Sequence, residues 1–419
     1  MSFIKIPVKG MCDILPGEMR LRQRLLSNIK SAYARYGFEE IETPVMEHIE
    51  NLTSKQGGEN EKLIFKVMKR GAELERAKQS GAELADLGMR YDLTVPLARY
   101  YANNCSKLLS PFKAMQIAPV WRADNPQKGR FRQFMQCDID ILGDGTNFAE
   151  IELVTATANM LTQIFKDVNI PSLTVHMNDR RILVAAALKH GFKQDDVPTV
   201  LISLDKLDKI GFDGVESELI SKGFAQNTVK NYLDAYRFLQ SDVTCRDFCA
   251  TISDCLDTQV ESNLSEIIDC CRSSVCEKVK IKFDPTLVRG MGYYTGPIFE
   301  ISIDGYSFSV AGGGRYDEMI EKFSNVKTNA VGFSIGFERI VTILKDFSSQ
   351  ELKLCEGGVA FIIEKGVDMQ RKMQAFKDAQ GLREQGKTVT VQPMKKNVKF
   401  QLAELEKSGF TEFRKIYKD

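Results

Sequence analysis

The period of hydrophobic and polar positions changes several times along this chain, and each change marks an element. Between Val120 and Gly143 two apolar-flanked runs enclose a polar, basic turn, where Asn125-Pro126 and Lys128-Gly129 favour chain reversal. On the return run Phe131, Gln133, Met135, Cys137 and Ile139 share one face. Arg132, Phe134, Gln136, Asp138 and Asp140 share the other. The stretch predicts a strand hairpin. Upstream, Leu21, Leu25, Ile29 and Tyr33 recur at helical spacing and predict an amphipathic helix over 18–36, stopped by Gly37. Residues 38–43 alternate like a strand and end at Pro44, and residues 63–68 read as another. The charged, Ala-rich run 71–87 reads as a loop or an exposed helix. Around Met89–Tyr100 the pattern predicts a strand ending at Asp92 and a helix from about Pro96, with Thr94 as its N-cap.

Downstream, 149–168 predicts a helix and 172–178 a strand. From Arg180 to Lys278 alternation disappears and helical spacing dominates, with breaks at Gly191, Gly211, Gly214 and Gly223. Strands resume at Lys280. Gly312, Gly313 and Gly314 are expected between a strand and a helix. Residues 330–339 read as a strand running into a helix, with Arg339 near its start. After a polar linker come strand, helix, strand, helix and strand at 359–363, 369–385, 388–392, 397–407 and 410–417. The fold class implied is α/β: an α+β body with a mixed, mainly antiparallel sheet, a helical insertion, and a small C-terminal α/β domain. The boundaries fall at 1–179, 180–278, 279–345, 346–357 and 358–419.

Composition narrows the picture modestly. A chain of 419 residues with 43% hydrophobic content supports two or three domains with their own cores. No apolar run reaches membrane-span length and no signal peptide is evident at the N-terminus, so a cytoplasmic protein without membrane contact is expected. Ten cysteines without a regular framework fit reduced thiols. Cys245, Cys249, Cys255, Cys270, Cys271 and Cys276 match no standard zinc spacing and have no His nearby; packed thiols, and no metal site, are expected. Net charge is only +1, yet residues 361–419 hold 13 Lys and Arg against 8 Asp and Glu, which leaves −4 for the rest. A basic tail domain is a weak footprint for a phosphate backbone, and a solvated Lys-rich surface gives the same count.

The polar face of the hairpin carries the chemistry. A cation, an aromatic ring, an amide and two carboxylates in a segment rich in Ile, Val and Phe suit a cleft for a polyphosphate, a flat base and a polar amino acid. A surface hairpin explains them less well. Two further stretches stand out. In Leu287–Glu300, Arg289 and the pair Tyr293-Tyr294 lie among glycines; Ser309–Asp317 carries Gly-Gly-Gly-Arg-Tyr-Asp. Glycine lets backbone approach a ligand closely.

These stretches together resemble histidyl-tRNA synthetases, members of the class II aminoacyl-tRNA synthetases. The likeness runs in order over residues 1 to about 345 and less completely over 346–419. Gly37–Pro44 is similar to class II motif 1, the dimer-interface element; Trp121–Asp140 to motif 2; Gly332–Arg339 to motif 3. Arg-Gly-x-x-Tyr-Tyr-Thr-Gly and Gly-Gly-Gly-Arg-Tyr-Asp, flanking a helical insertion in this order, are the specific part. The resemblance implies a catalytic domain in two parts, 1–179 and 279–345, and an anticodon-binding-like domain at 358–419. It implies a homodimer that takes ATP with Mg2+, histidine and tRNA(His) as substrates. It places Arg122 and Arg289 on opposite sides of the α-phosphate and Arg339 on the far phosphates. Asp124 falls beside the adenine amine, Phe134 against the adenine ring, and Arg130 near phosphate or the tRNA end. Asp140 and Tyr294 fall to the imidazole, Asp92, Thr94 and Gln136 to the amino group and nearby polar atoms, and Tyr293 to the pocket floor. Gly292, Asp92, Asp124 and Asp140 depart from residues common among relatives, and the chain stops soon after its last strand. Two other readings share the motifs: a paralogue that adenylates for another acceptor, and a non-catalytic regulatory subunit of ATP phosphoribosyltransferase. Loss of the ATP-site cations would mark the latter, and here Arg122, Arg289 and Arg339 are all present.

Overall fold

The computed structural model describes residues 3–53, 60–127, 129–166, 168, 170, 172–239, 243–289, 292–347 and 353–418. Lys128 of the hairpin turn, Gly290 of the glycine-rich stretch and part of the 346–357 linker lie outside them. The chain divides into two compact units, residues 1–12 with 27–347, and residues 13–26 with 348–419.

Helix α1 (Pro16–Ala34) buries Leu25, Ile29 and Tyr33, the spacing its sequence shows. Gly37 at φ +79° ends it, and the Phe38 N–H returns to the Tyr33 carbonyl. The strand expected over 38–43 shrinks to β1 (Glu39–Glu40). Past it the Ile41 N–H still donates to the Met115 carbonyl, and Thr43 then turns to side-chain partners. The Thr43 carbonyl accepts from Arg90 Nη1 at 2.8 Å, and the Thr43 hydroxyl donates to Gln116 Oε1 at 3.1 Å. Next come β2 (Met46–His48), α2 (Ile49–Thr53), β3 (Lys66–Met68), α3 (Gly71–Ser80) and β4 (Ala85–Met89). The run 71–87 is thus a helix and then a strand, and β4 is the middle of the small antiparallel sheet β2-β4-β3. Its sequence Ala-Asp-Leu-Gly-Met lacks the β-branched residues that announce a strand.

Then come α4 (Thr94–Asn104), the hairpin β5 (Phe112–Trp121) and β6 (Gln133–Leu142), α5 (Phe148–Ile164) and β7 (Leu173–Asp179). The helical stretch comprises α6 (Arg180–Lys189), α7 (Val197–Leu204), α8 (Leu207–Ser221), α9 (Gln226–Arg237), α10 (Cys245–Ala250) and α11 (Thr258–Ser274). Gly191 and Gly223 end helices at positive φ, Gly211 kinks α8, and Gly214 lies within α8 without breaking it. The Cys245 and Cys249 sulfurs lie 3.8 Å apart, both buried. The chain returns through β8 (Val279–Phe283), β9 (Pro297–Ile303), β10 (Ser309–Arg315), α12 (Glu318–Ser324), β11 (Ala330–Gly336) and α13 (Phe337–Phe347).

These strands build one eight-stranded sheet in the order β1-β5-β6-β11-β10-β9-β7-β8. Only the outer pairs, β1 with β5 and β7 with β8, are parallel. The sheet is therefore mixed and mainly antiparallel. Gly312–Gly314 lie inside β10, not between a strand and a helix. A Cβ on Gly314 would stand 2.7 Å from the Pro297 carbonyl, and one on Gly313 would run into the Gly332 carbonyl. Glycine is required there for neighbouring backbone to pack. Arg315, at the end of β10, is almost wholly buried. It grips Glu150 of α5 at 2.7 and 2.8 Å and donates to the Thr146 carbonyl at 2.9 Å. It is a clamp between sheet and helix.

In the second unit β12 (Gly358–Ile363), α14 (Met369–Glu384), β13 (Val389–Pro393), α15 (Val398–Lys407) and β14 (Phe410–Ile416) form a three-stranded parallel sheet, β13-β12-β14. Every residue of β12 is buried. Val359, Phe361 and Ile363 pack with Ala375 and Ala379 of α14; Ala360 and Ile362 pack with Leu405 and Phe410. A central parallel strand covered on both faces accounts for its unbroken apolar run.

Candidate active site

A cleft of about 1050 Å³ opens over β6, β11, β10 and β9. All twelve site residues expected from the sequence line it: Asp92, Thr94, Arg122, Asp124, Arg130, Phe134, Gln136, Asp140, Arg289, Tyr293, Tyr294 and Arg339. The alternation along β6 delivers Phe134, Gln136, Asp138 and Asp140 to the cleft. It fails ahead of the strand: Phe131, expected on the opposite face, also lines the cleft. Arg132 instead donates to the Asp124 carbonyl at 3.0 Å, and its backbone N–H to the Gly10 carbonyl.

Four guanidiniums converge here from separate elements. Arg122, just past β5, donates Nε to the Tyr91 carbonyl at 3.0 Å. Its guanidinium lies 4.2 Å from the Tyr91 ring centre and 5.2 Å from that of Phe134. Arg130, in the hairpin turn, donates to the Asp124 carboxylate at 2.8 Å. Arg289 pairs with Glu300, while its buried Nε has no partner. Arg339, in the first turn of α13, donates to the Ser309 carbonyl at 2.6 Å and lies over the Phe308 ring. Burial lowers the Arg339 pKa. Repulsion from Arg289, Arg130 and Arg122 lowers it further, opposed by Glu300. Cations that repel across a cleft make a seat for a polyanion.

The opposite chemistry occupies the floor. Asp92, Asp138 and Asp140 are each less than 5% exposed. Burial raises the Asp92 pKa. Burial and neighbouring Asp140 push Asp138 well above its ordinary range. Burial raises Asp140 to about 7, with the Tyr316 hydroxyl opposing and Asp92 adding. Tyr316 donates to Asp140 Oδ1 at 2.6 Å. Asp92 Oδ1 accepts from the Val95 N–H at 3.1 Å, whereas Oδ2 is buried without a partner. Thr94 is therefore not the N-cap. The helix starts at Thr94 itself, and the Asp92 carboxylate takes the free backbone donor. Gln136 Nε2 donates to Ser334 Oγ at 3.0 Å, and its Oε1 is buried and unpartnered. The Tyr293 and Tyr294 rings lie tilted against each other at 4.8 Å between centres, with the Tyr316 ring edge-on to Tyr293 at 5.9 Å. At the rim, His176 bridges Asp284 and Ser302 at 2.9 Å each, tying β7 to β9.

Sequence reasoning missed several lining residues: Asp138, Ser334, Tyr316, Glu300 and Tyr91. Asp138 alone carried a signal, its place on the polar face of β6. Ser334 reaches the floor because β11 pairs with β6 in a register that sets it against Asp138; the same register sets Gly332 against Asp140, which leaves room for Tyr316. Asp205, at the corner between α7 and α8, also reaches the cleft.

Among the described residues no group of three or more His, Cys, Asp or Glu could hold a metal ion, and no helix is long and apolar enough to cross a membrane. The chain matches the family model described as histidyl-tRNA synthetase over residues 10–340. It is 41% identical to a histidine–tRNA ligase of Leifsonia xyli, over 97% of this chain and 94% of the relative. It is 43% identical to a probable histidine–tRNA ligase of Tropheryma whipplei, over 83% and 82%. Among solved structures, histidyl-tRNA synthetase from Nostoc sp. superposes with a TM-score of 0.76 at 27% identity, covering 98% of this chain and 90% of that one. A Bacillus halodurans protein described as an ATP phosphoribosyltransferase regulatory subunit/histidyl-tRNA synthetase shares the fold, with a TM-score of 0.75 at 19% identity over 99% of each chain. A family match over most of the chain, with close relatives along nearly its full length, places it plainly: this chain belongs to the histidyl-tRNA synthetase family.

Proposed function

We propose that this chain is a histidine–tRNA ligase that activates histidine with ATP and transfers it to tRNA(His). The observation that carries the reading is the convergence of Arg122, Arg130, Arg289 and Arg339 above a floor of buried carboxylates. One side of the cleft suits a triphosphate, the other a cationic amine and a polar ring.

In the first step a histidine carboxylate oxygen attacks the α-phosphorus of ATP and pyrophosphate leaves. Negative charge gathers on the α-phosphate, so catalysis rests on position and fixed positive charge. Arg122 and Arg289 are assigned to that phosphate and Arg339 to the departing pair. Phe134 offers a face to adenine, and Asp124, held by Arg130, an acceptor to its amine. The unpartnered oxygens of Asp92 and Gln136, beside Thr94, are assigned to the α-ammonium. Asp140 and Tyr294 take the two imidazole nitrogens, with Tyr293 beneath. A ring bonded at both nitrogens excludes isosteres that leave these buried groups unpaired. In the second step a ribose hydroxyl of the tRNA end attacks the acyl carbonyl and AMP leaves. Magnesium is assigned to the ATP phosphates and water, since the described residues form no cage for it. The division at 180–278 and 346–357, a homodimer through Gly37–Pro44, and tRNA contact by the basic 358–419 domain belong to the same proposal.

The test is histidine-dependent pyrophosphate exchange beside charging of tRNA with labelled histidine, in the parent protein and in Arg289→Ala. Both reactions are expected in the parent. Exchange is expected to fall about a hundredfold or more in the variant. Absence of both in the parent overturns the enzyme reading; exchange without charging points to a different acceptor. Sedimentation showing only monomer at micromolar concentration overturns the dimer.

A further inference from the structure

Gln136 lies at the cleft floor with its amide oxygen unpartnered, and an amide is useful there only if it faces the right way. Its oxygen would accept from an ammonium, whereas its NH2 would repel one. Nothing in the side chain's shape distinguishes the two orientations. The chemistry around it does. Gln136 Nε2 faces Ser334 Oγ at 3.0 Å, and Ser334 in turn donates to Asp138 Oδ1 at 2.5 Å. A serine hydroxyl has one proton. Once that proton is committed to the Asp138 carboxylate, the hydroxyl has only lone pairs left for the amide, so the amide must present its N–H end. Oε1 is thereby left in the cleft, where it is buried and unpartnered like Asp92 Oδ2. The register of β11 against β6 sets Ser334 directly across from Asp138, which makes the relay possible. If Ser334 lost Asp138, its proton would turn to Gln136 and the amide would reverse.

We infer that Asp138 and Ser334 form a proton-directing relay that fixes the Gln136 amide with its oxygen toward the cleft, and so create the ammonium-selective subsite. Both are positioning residues that act through Gln136. This inference rests on the histidine–tRNA ligase reading and adds two residues to it. It gives a task to a carboxylate buried at 4% exposure on the floor.

The relay makes an unusual prediction about rescue. In Asp138→Ala the freed Ser334 hydroxyl donates to Gln136, the amide reverses, and the KM for histidine in pyrophosphate exchange rises roughly tenfold or more, the size of a lost hydrogen bond to a charged group. The KM for ATP stays within about threefold. Asp138→Asn can still accept the Ser334 proton through its carbonyl and stays close to the parent. Adding Gln136→Glu to Asp138→Ala restores the histidine KM. Both ends of a carboxylate are acceptors, so orientation no longer matters, and the pair of changes conserves charge. A merely structural role for Asp138 predicts no such recovery. Ser334→Ala, alone and with Gln136→Glu, repeats the test if Asp138→Ala does not fold. An unchanged histidine KM in both Asp138→Ala and Ser334→Ala, or a raised KM that Gln136→Glu does not recover, overturns the relay. A parent without histidine-dependent exchange overturns the underlying reading instead.

Discussion

Gly312→Ala is the sharpest test of the assigned role of Arg289, because it disturbs the cation without touching it chemically. Gly312 lies within β10, where φ is not positive, so alanine fits the backbone. Its methyl does not fit the space. A Cβ there would stand 2.5 Å from Cζ, Nη1 and Nη2 of Arg289, against 3.4–4 Å for ordinary contact. The neighbour is the far end of a side chain and not backbone, so the fold survives and the guanidinium moves, by about 1 Å. Arg289 is half-buried and paired with Glu300, a contact that the displacement disturbs. A displacement of about 1 Å at a group that stabilises developing charge costs on the order of 10²-fold in rate, or about 2.7 kcal/mol. Loss of the cation sets a floor of roughly 10²–10³-fold. Pyrophosphate exchange at saturating substrates is expected to show kcat down about a hundredfold, near the Arg289→Ala floor, with KM values for ATP and histidine changed less. An unaltered melting temperature would locate the effect in the site. A kcat within threefold of the parent, with Arg289→Ala strongly impaired, refutes the argument that Gly312 is kept small for Arg289.

Three further outcomes follow from the same floor and its supports. The ligand-free Asp140 carboxyl keeps its proton to about pH 7, while the unfolded chain loses it near 4. Between those values the unfolded chain binds fewer protons, so stability falls as pH rises from about 4 to 7 and the loss is complete above 7, up to roughly 4 kcal/mol. Asp140→Asn removes this contribution. Urea unfolding should show the variant gaining on the parent between pH 5 and pH 8, and an equal pH slope in both would contradict the assignment. Histidine binding brings an ammonium to the floor on which Asp140 keeps its proton to about pH 7, so protons should be released. Calorimetry near pH 6.5 in buffers of different ionisation enthalpy measures this, and zero release argues against the ammonium lying there. Arg315→Ala leaves Glu150 buried at 1% exposure without its partner and should cost about 3–5 kcal/mol of stability. A variant with parental stability but lost exchange would make Arg315 a substrate contact instead of a clamp.

What could be read from the sequence, and what could not, divides along the range of the interaction. Period-two alternation is a local rule. It put Phe134, Gln136, Asp138 and Asp140 on one face of β6 before any fold was known, and it failed only at Phe131 and Arg132, just ahead of the strand. Tandem apolar residues gave β12, and apolar residues at four-residue intervals gave α1. The gathering of Arg122, Arg289 and Arg339, which stand far apart in the chain, was legible only through resemblance; no periodicity predicts it. Where local rules erred, a tertiary partner had taken over. The strand after Gly37 stopped at two residues because Arg90 and Gln116 bind the Thr43 backbone and hydroxyl. The helix start at Thr94 is served by a carboxylate two residues earlier. Gly312–Gly314 read as a turn because glycine usually marks one, yet in β10 they answer to the backbone of β9 and β11 and to Arg289. Ser334 sits in an ordinary-looking strand, and only its register against Asp138 gives it a task. The cleft is thus specified twice: locally, by which side chains leave each strand on the cleft face, and globally, by a pairing register that decides which partner each meets. A one-residue slip between β6 and β11 would leave every local pattern intact and still turn Ser334 away from Asp138 and Gly332 away from Asp140. Gly332 fits the native register, since a side chain opposite Asp140 would collide with its carboxylate. The Tyr316 hydroxyl, bonded to the same carboxylate oxygen, supplies the rest of the constraint.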